Sequence, residues 1–152
     1  MIKLLKNGFL GVVISVIVIS CGTTVRQLNT DCNESCRDIF KSLTTVLLQE
    51  NFKIIQNDVE NGYLQAETEY SHSVWTGANT KRVWIFQYDK GKIIASAKEV
   101  SNSQNAFGAT VSTSEFYYSD RKAHEDMTWY WRVRNELEKL CTNIKFTERK
   151  AR

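Results

Sequence analysis

Proline is missing from this 152-residue chain, so no strand-like run in it is demoted to a sheet edge on that ground. Histidine is nearly missing: the two present, His72 and His124, fit no metal-binding spacing such as His-Glu-x-x-His. His124, Glu125 and Asp126 are consecutive, and consecutive residues on a helix point in different directions and make no chelating face. No glycine-rich loop precedes a helix to hold phosphate, and no nucleophile elbow surrounds a serine. Neither a cofactor nor a metal is therefore expected. Internal repeats and low-complexity tracts are lacking too. An excess of one charge sign is also lacking, since 20 basic residues face 17 acidic ones and two of the basic ones precede residue 20. The remainder balances 18 against 17, scattered along the chain, which excludes a nucleic-acid footprint. The longest apolar run, Phe9 to Ile19, falls short of the roughly 20 residues of a transmembrane helix.

That run has other properties. Lys3 and Lys6 precede it, small residues end it, and polar Gly22, Thr23 and Thr24 follow, as in a secretory signal. The cysteine in Val18-Ile19-Ser20-Cys21 follows aliphatic, aliphatic and small residues, a pattern that resembles the lipobox of bacterial lipoproteins. The resemblance covers residues 1–21 only. It implies that residues 1–20 are removed, that the Cys21 thiol carries a diacylglyceryl group, and that the domain sits in the cell envelope on the non-cytoplasmic side of a membrane. Two or three acyl chains anchor stably, at about 0.8 kcal/mol per buried methylene, where one chain binds only marginally. Removing residues 1–20 from the 152 leaves 132, enough for one domain.

Residues 21–30 then read as the lipidated cysteine and a polar, aperiodic tether, residues 31–146 as a single domain, and residues 147–152 as a basic tail. Asp31 with Glu34 resembles a capping box, and Ile39, Phe40, Leu43, Val46 and Leu47 recur at helical spacing, so a helix is expected over 32–50 with Asn51 as its left-handed cap. Strand patterns follow at 52–56, 63–70, 81–88, 92–100 and 110–118. Asn61-Gly62 and Asp89-Lys90-Gly91 supply the turn chemistry for two hairpins. Ser119 or Asp120 caps a final helix whose apolar positions Met127, Tyr130, Val133, Leu137, Leu140 and Ile144 step by three and four.

The expected fold is α+β: an antiparallel meander of about five strands with an N-terminal and a C-terminal helix packed on one face. Alternation assigns Leu64, Ala66, Thr68 and Tyr70 to the core and Tyr63, Gln65, Glu67 and Glu69 to the other face. The third strand is apolar on both sides, with Val83 and Ile85 on one and Trp84, Phe86 and Tyr88 on the other. The helices cover one sheet face. The open face therefore carries apolar or aromatic residues, and Trp84, Phe86 and Tyr88 with Glu67 and Glu69 form the expected partner surface. The competing reading folds the loop around Trp75 or Phe107 over that face.

With Cys21 committed to lipid, Cys32, Cys36 and Cys141 remain and allow one internal bridge. In a five-strand meander the two helices run parallel, which sets Cys141 on the order of 25 Å from the other two and leaves Cys32–Cys36 as the pair within the roughly 7 Å a bridge requires. A bridge to Cys141 would mean antiparallel helices and a miscounted strand. Functionally, the chain reads as a non-enzymatic binding domain for an envelope protein, peptide or glycan. The alternatives are a small hydrolase of envelope polymers using Glu67, Glu69, Glu115 or His72, and a carrier of an apolar ligand between sheet and helices. Glu67 and Glu69 lie roughly 7 Å apart on one strand face, a spacing that acid and base pairs also use.

Overall fold

The computed structural model describes residues 24–72, 77–105 and 107–150. Within them the chain runs β1 (Thr24–Cys32), α1 (Cys36–Gln49), β2 (Lys53–Asp58), β3 (Tyr63–Glu67), β4 (Ser71–His72), β5 (Ala78–Asp89), β6 (Lys92–Gln104), β7 (Thr110–Tyr117), α2 (Thr128–Leu140) and β8 (Cys141–Lys150). The strands form one antiparallel sheet in the order β2-β3-β5-β6-β1-β8, with β4 added to β5 and β7 added to β6. The class is α+β as expected, but the sheet has eight strands rather than five. No described helix is long and apolar enough to cross a membrane.

Two of the added strands replace segments expected as a tether and as the end of the final helix with a basic tail. Thr24–Cys32 is not a tether but a sheet strand paired on both edges, with β6 through Leu28↔Ala95 and with β8 through Leu28↔Phe146. Its residues are too polar to announce a strand, and the pairing of its backbone groups on both sides supplies what its side chains lack. At the other end, the helix stops at Leu140, and β8 takes up the residues expected as its last turn and as a basic tail. Ile144 lies four residues after Leu140, which continues the helical period, but it also lies two before Phe146, which is a strand period.

Local chemistry explains the element ends. Ser35, not Asp31, caps α1: its Oγ accepts a hydrogen bond from the Asp38 N–H at 3.2 Å. The helix ends as anticipated, with Asn51 at φ 62°. Asn51 N donates to Leu48 O and Phe52 N to Leu47 O, the two bonds of a Schellman motif. Lys90 and Gly91, both at positive φ, make the two-residue turn between the long strands β5 and β6. Gly62 closes the β2–β3 hairpin at φ 65°, and a Cβ there would sit 2.2 Å from Tyr88 O, while Tyr88 N donates to Gly62 O at 2.7 Å. Gly62→Ala is therefore expected to destabilise the fold by roughly 2–3 kcal/mol, from left-handed strain and a displaced hydrogen bond. A urea unfolding midpoint unchanged by the substitution would contradict this.

One core cluster joins the sheet and both helices. It takes Leu28, Leu64, Ala66, Trp84, Phe86, Ile93, Ala95 and Ala97 from strands, Ile39, Phe40, Leu43 and Leu47 from α1, and Trp129, Tyr130, Val133 and Leu137 from α2. Trp129, Tyr130 and Trp131 do not share one environment: the first two are buried, while half-buried Trp131 donates Nε1–H to His124 O at 2.8 Å. The Tyr130 hydroxyl donates to Asp120 at 2.9 Å, and burial, together with that carboxylate, pushes its pKa far up.

The disulfide joins Cys32 to Cys141, not Cys32 to Cys36, and Cys36 is a free thiol. Cys32 ends β1 and Cys141 begins β8, and the two are directly opposed in register. The α1 helix begins shortly after one cysteine and α2 ends immediately before the other, so the helices run in opposite directions. The expectation failed because not every element reverses the last: β1 and β7 are both antiparallel to β6, and α2, which ends where β8 turns back along β1, runs the same way as β7.

Candidate binding face of the sheet

The side chains of β3, β5 and β6 divide cleanly between two faces. Trp84 stands between Ala66 and Ala97 in register, and Phe86 between Leu64 and Ala95. Ala66, Ala97 and Ala95 leave room for large rings, and both rings are fully buried in the core. Trp84, Phe86 and half-buried Tyr88, whose hydroxyl donates to Glu34 O at 3.4 Å, thus belong to the packed face or its margin and not to a partner surface. The opposite face carries Val83 and Ile85. The small residues opposite Trp84 and Phe86 were the signal that separates the two sides of β5, and they are visible in the sequence once the register is known.

On this second face, cross-strand rows follow from the pairing. Glu67, Val83, Lys98 and Tyr117 form one row, Lys81, Val100 and Glu115 the next, and Gln65, Ile85 and Ser96 a third. Diagonal ion pairs tie the rows together: Lys81 Nζ lies 2.6 Å from Glu67 Oε2, and Lys98 Nζ lies 2.7 Å from Glu115 Oε1. Each lysine also lies over a tyrosine ring, Lys81 at 5.1 Å from the Tyr70 centroid and Lys98 at 5.5 Å from that of Tyr117. The Tyr117 hydroxyl donates to Glu115 at 3.1 Å, and Asn102 Nδ2 donates to the Tyr70 hydroxyl at 2.9 Å. Two lysine, glutamate and tyrosine clusters thus flank half-buried Ile85 and the buried Val83 and Val100. Such diagonal and cross-strand pairs contribute roughly 0.2–1 kcal/mol each, and together they hold the surface side chains in place.

The electrostatics of the second cluster are settled by its pairing. Burial pushes the Glu115 carboxyl up, but the hydrogen bond and charge of Lys98, with the Tyr117 hydroxyl, outweigh it and hold the group below its ordinary range. Burial lowers the Lys98 pKa, and Glu115 and Tyr117 more than restore it, leaving it raised. Burial also raises the Tyr117 pKa, with Lys98 opposing. At neutral pH the cluster is therefore an ionised, internally neutralised pair beside a protonated phenol.

The groove over these residues measures about 370 Å³ and contains Gln65, Glu67, Tyr70, Lys81, Lys98, Asn102 and Glu115 among others. A larger concavity of about 430 Å³ lies along the same sheet, where β8 bulges at Asn143, and takes Asn29, Asp31, Gln87, Asp89, Lys92 and Lys145 into its wall. Of the expected site residues, Glu67 is in the groove, while Glu69 pairs with Lys53 at the sheet margin. His72 Nδ1 is bonded to Asn79 Oδ1 at 2.9 Å, outside the groove lining. Lys81, Lys98, Tyr70, Tyr117 and Asn102 were not anticipated. Tyr70 had been assigned to the core, but the alternation breaks after Glu67, where β3 ends, and its ring is exposed. Phe107 does not fold over the face, being 95% exposed; Trp75 and Cys21 lie outside the described residues. Among the described residues, no three His, Cys, Asp or Glu side chains gather as a metal site. No protein-family model, curated protein or solved structure matches the chain.

Proposed function

We propose that this chain is a lipid-anchored protein of the bacterial envelope whose domain binds a polar, uncharged partner, a glycan or an extended peptide, on the Val83–Ile85 face of its sheet. The observation that carries the reading is the paired arrangement of Lys81 with Glu67 and Tyr70, and of Lys98 with Glu115 and Tyr117. Its charges are neutralised within the surface. What remains for a partner is ring faces, the Gln65 amide and half-buried Ile85, Val83 and Val100 being buried, a combination suited to hydroxyl-rich or peptide-like ligands. The reading takes both helices to lie on the Trp84 face, as their shared core cluster supports.

The hydrolase alternative is less well supported. Glu67 and Glu115 do line one groove, but each is engaged by a lysine, and Glu115 is held ionised, which unsuits it as a proton donor. The carrier alternative needs space between sheet and helices, where Trp84, Phe40, Phe86 and Tyr130 are fully buried in a single cluster.

Two measurements test the two halves of the proposal. Metabolic labelling with a radioactive fatty acid should mark the wild-type chain and leave Cys21→Ser unlabelled, its precursor uncleaved; label persisting in that variant would reject the anchor. A photo-crosslinking amino acid replacing Ile85 should capture an envelope glycan or peptide in cells. The same amino acid at Ile55, exposed on strand β2, should capture none. Equal capture at both positions, or none at Ile85, would remove the assignment of the face.

A further inference from the structure

The two ends of the sheet differ in what they present. β1 is antiparallel to β6, with Asp31 opposite Lys92 and Leu28 opposite Ala95, so its Thr24 end points away from the β5–β6 turn and toward the hairpin that joins β6 to β7. Arg26 Nη1 donates to Tyr117 O at 2.8 Å, which sets the start of β1 against the end of β7. Lys150 and Arg149 lie at the same end, paired with Thr24 and Val25. Carrying the register on from Leu28 and Ala95 puts Thr24 level with Glu99, and Gln104 is five residues farther along β6, about 17 Å at 3.4 Å per residue.

The hairpin that projects there has an unusual surface. Residues 101–114 contain no charged side chain in a chain that is 24% charged. At its tip Phe107 is 95% exposed, and Val111 beside it is 62% exposed. Yet the loop is not polar backbone waiting for water. Asn105 Oδ1 accepts from Phe107 N and Ala109 N at 3.0 Å each. Gly108 N donates to Asn105 O, and Asn105 N to Ala109 O, at 2.9 Å each. Gly108 takes the positive φ that the turn needs. A loop in which the amides of Asn105, Phe107, Gly108 and Ala109 are bonded internally, and which carries no charge, can leave water at little cost.

We infer that this hairpin is a second membrane contact, with Phe107 seated in the bilayer that holds the lipid on Cys21. The inference rests on the anchor proposed above. Three residues of chain from Cys21 to Thr24 span at most about 10 Å, so a lipid on Cys21 holds the start of β1 within that distance of the bilayer surface. The hairpin reaches roughly 17 Å from the same level and in the same direction. Its tip then enters the headgroup and acyl boundary, the depth of about 5–10 Å at which apolar side chains of interfacial segments rest. Arg149 and Lys150 at this end favour anionic headgroups.

The test uses the full lipidated chain reconstituted in vesicles of phosphatidylethanolamine and phosphatidylglycerol, in a Cys36→Ser background. A fluorophore is attached through Thr110→Cys, beside the tip, or through Lys90→Cys in the opposite turn. Lipids brominated on their acyl chains should quench the first label strongly and the second not at all. Phe107→Ser should cut quenching at the first position at least about threefold, while mass spectrometry still finds lipid on Cys21. A lipidated chain whose Thr110 label is unquenched, or is quenched equally with Phe107→Ser, overturns the hairpin contact and leaves the anchor standing. A free Cys21 thiol overturns the anchor and this contact with it.

Discussion

Breaking the Cys32–Cys141 bridge should lower stability by about 4 kcal/mol. The bridge closes a segment of 109 residues, and in the chain-entropy account a loop of that length is worth about 4.7 kcal/mol, most measured bridges contributing roughly 2–4. The consequence extends beyond entropy. β1 and β8 are polar strands, and β8 pairs with β1 alone; the bridge joins them at the end where α1 begins and α2 stops. For a domain of this size about 4 kcal/mol corresponds to a melting temperature lower by roughly 10–20 °C. The comparison is between wild type, Cys32→Ser with Cys141→Ser, and Cys36→Ser, in thermal unfolding followed by circular dichroism. The double variant should melt far lower, and Cys36→Ser should stay within a few degrees of wild type, since Cys36 is an unbridged thiol only packed against the core. A double variant that melts with the wild type would show that β1 and β8 need no bridge.

Trp84→Ala is expected to cost roughly 3–5 kcal/mol, as large-to-small changes at fully buried aromatic positions do. The Trp84 ring stacks on Phe86 at 5.3 Å and on Tyr130 at 5.6 Å, and meets the edge of Trp129 at 6.3 Å. It thereby couples β5 to α2. Its Nε1–H is buried without a hydrogen-bond partner, so what the residue contributes is its size and shape. Trp84→Phe should therefore cost much less, because it removes the unpaired donor along with part of the ring. Chemical denaturation of the three proteins checks both statements. Equal losses for alanine and phenylalanine would mean that the indole N–H, not the packing, governs this position.

The features that could be read along the chain are those set by neighbours within a few residues. Ile39, Phe40, Leu43 and Leu47 at helical spacing, Asn51 in a left-handed cap, and Asn61-Gly62 and Lys90-Gly91 in their turns all act through local dihedral preferences and periodicity. Five strand segments follow from the same reasoning, and of the inward set Leu64, Ala66, Thr68 and Tyr70 the first two are buried in the core, while Tyr70 is exposed. Glu67 was legible as a residue of the other face because alternation alone assigns it.

What the chain does not declare is set by partners far away in sequence. β1 is a strand because β6 and β8 lie on either side of it, and no local preference of Thr-Val-Arg-Gln-Leu-Asn-Thr-Asp-Cys encodes that. Alternation could not choose between the two faces of β5, since both are apolar. The choice is made by Ala66 and Ala97, which leave space for Trp84 on one side only. The candidate face escaped for the same reason, its lysines and tyrosines coming from separate strands and meeting only through the register. The cysteines follow suit: Cys32 and Cys36 are close in sequence, but the bridge went to Cys141 because two antiparallel strands bring it within 4.2 Å of Cys32 at the Cα atoms. Local chemistry determined the helices and the turns; the pairing of backbone groups across the sheet decided the edges, the faces and the bridge, because a strand's hydrogen bonds are always made with another segment.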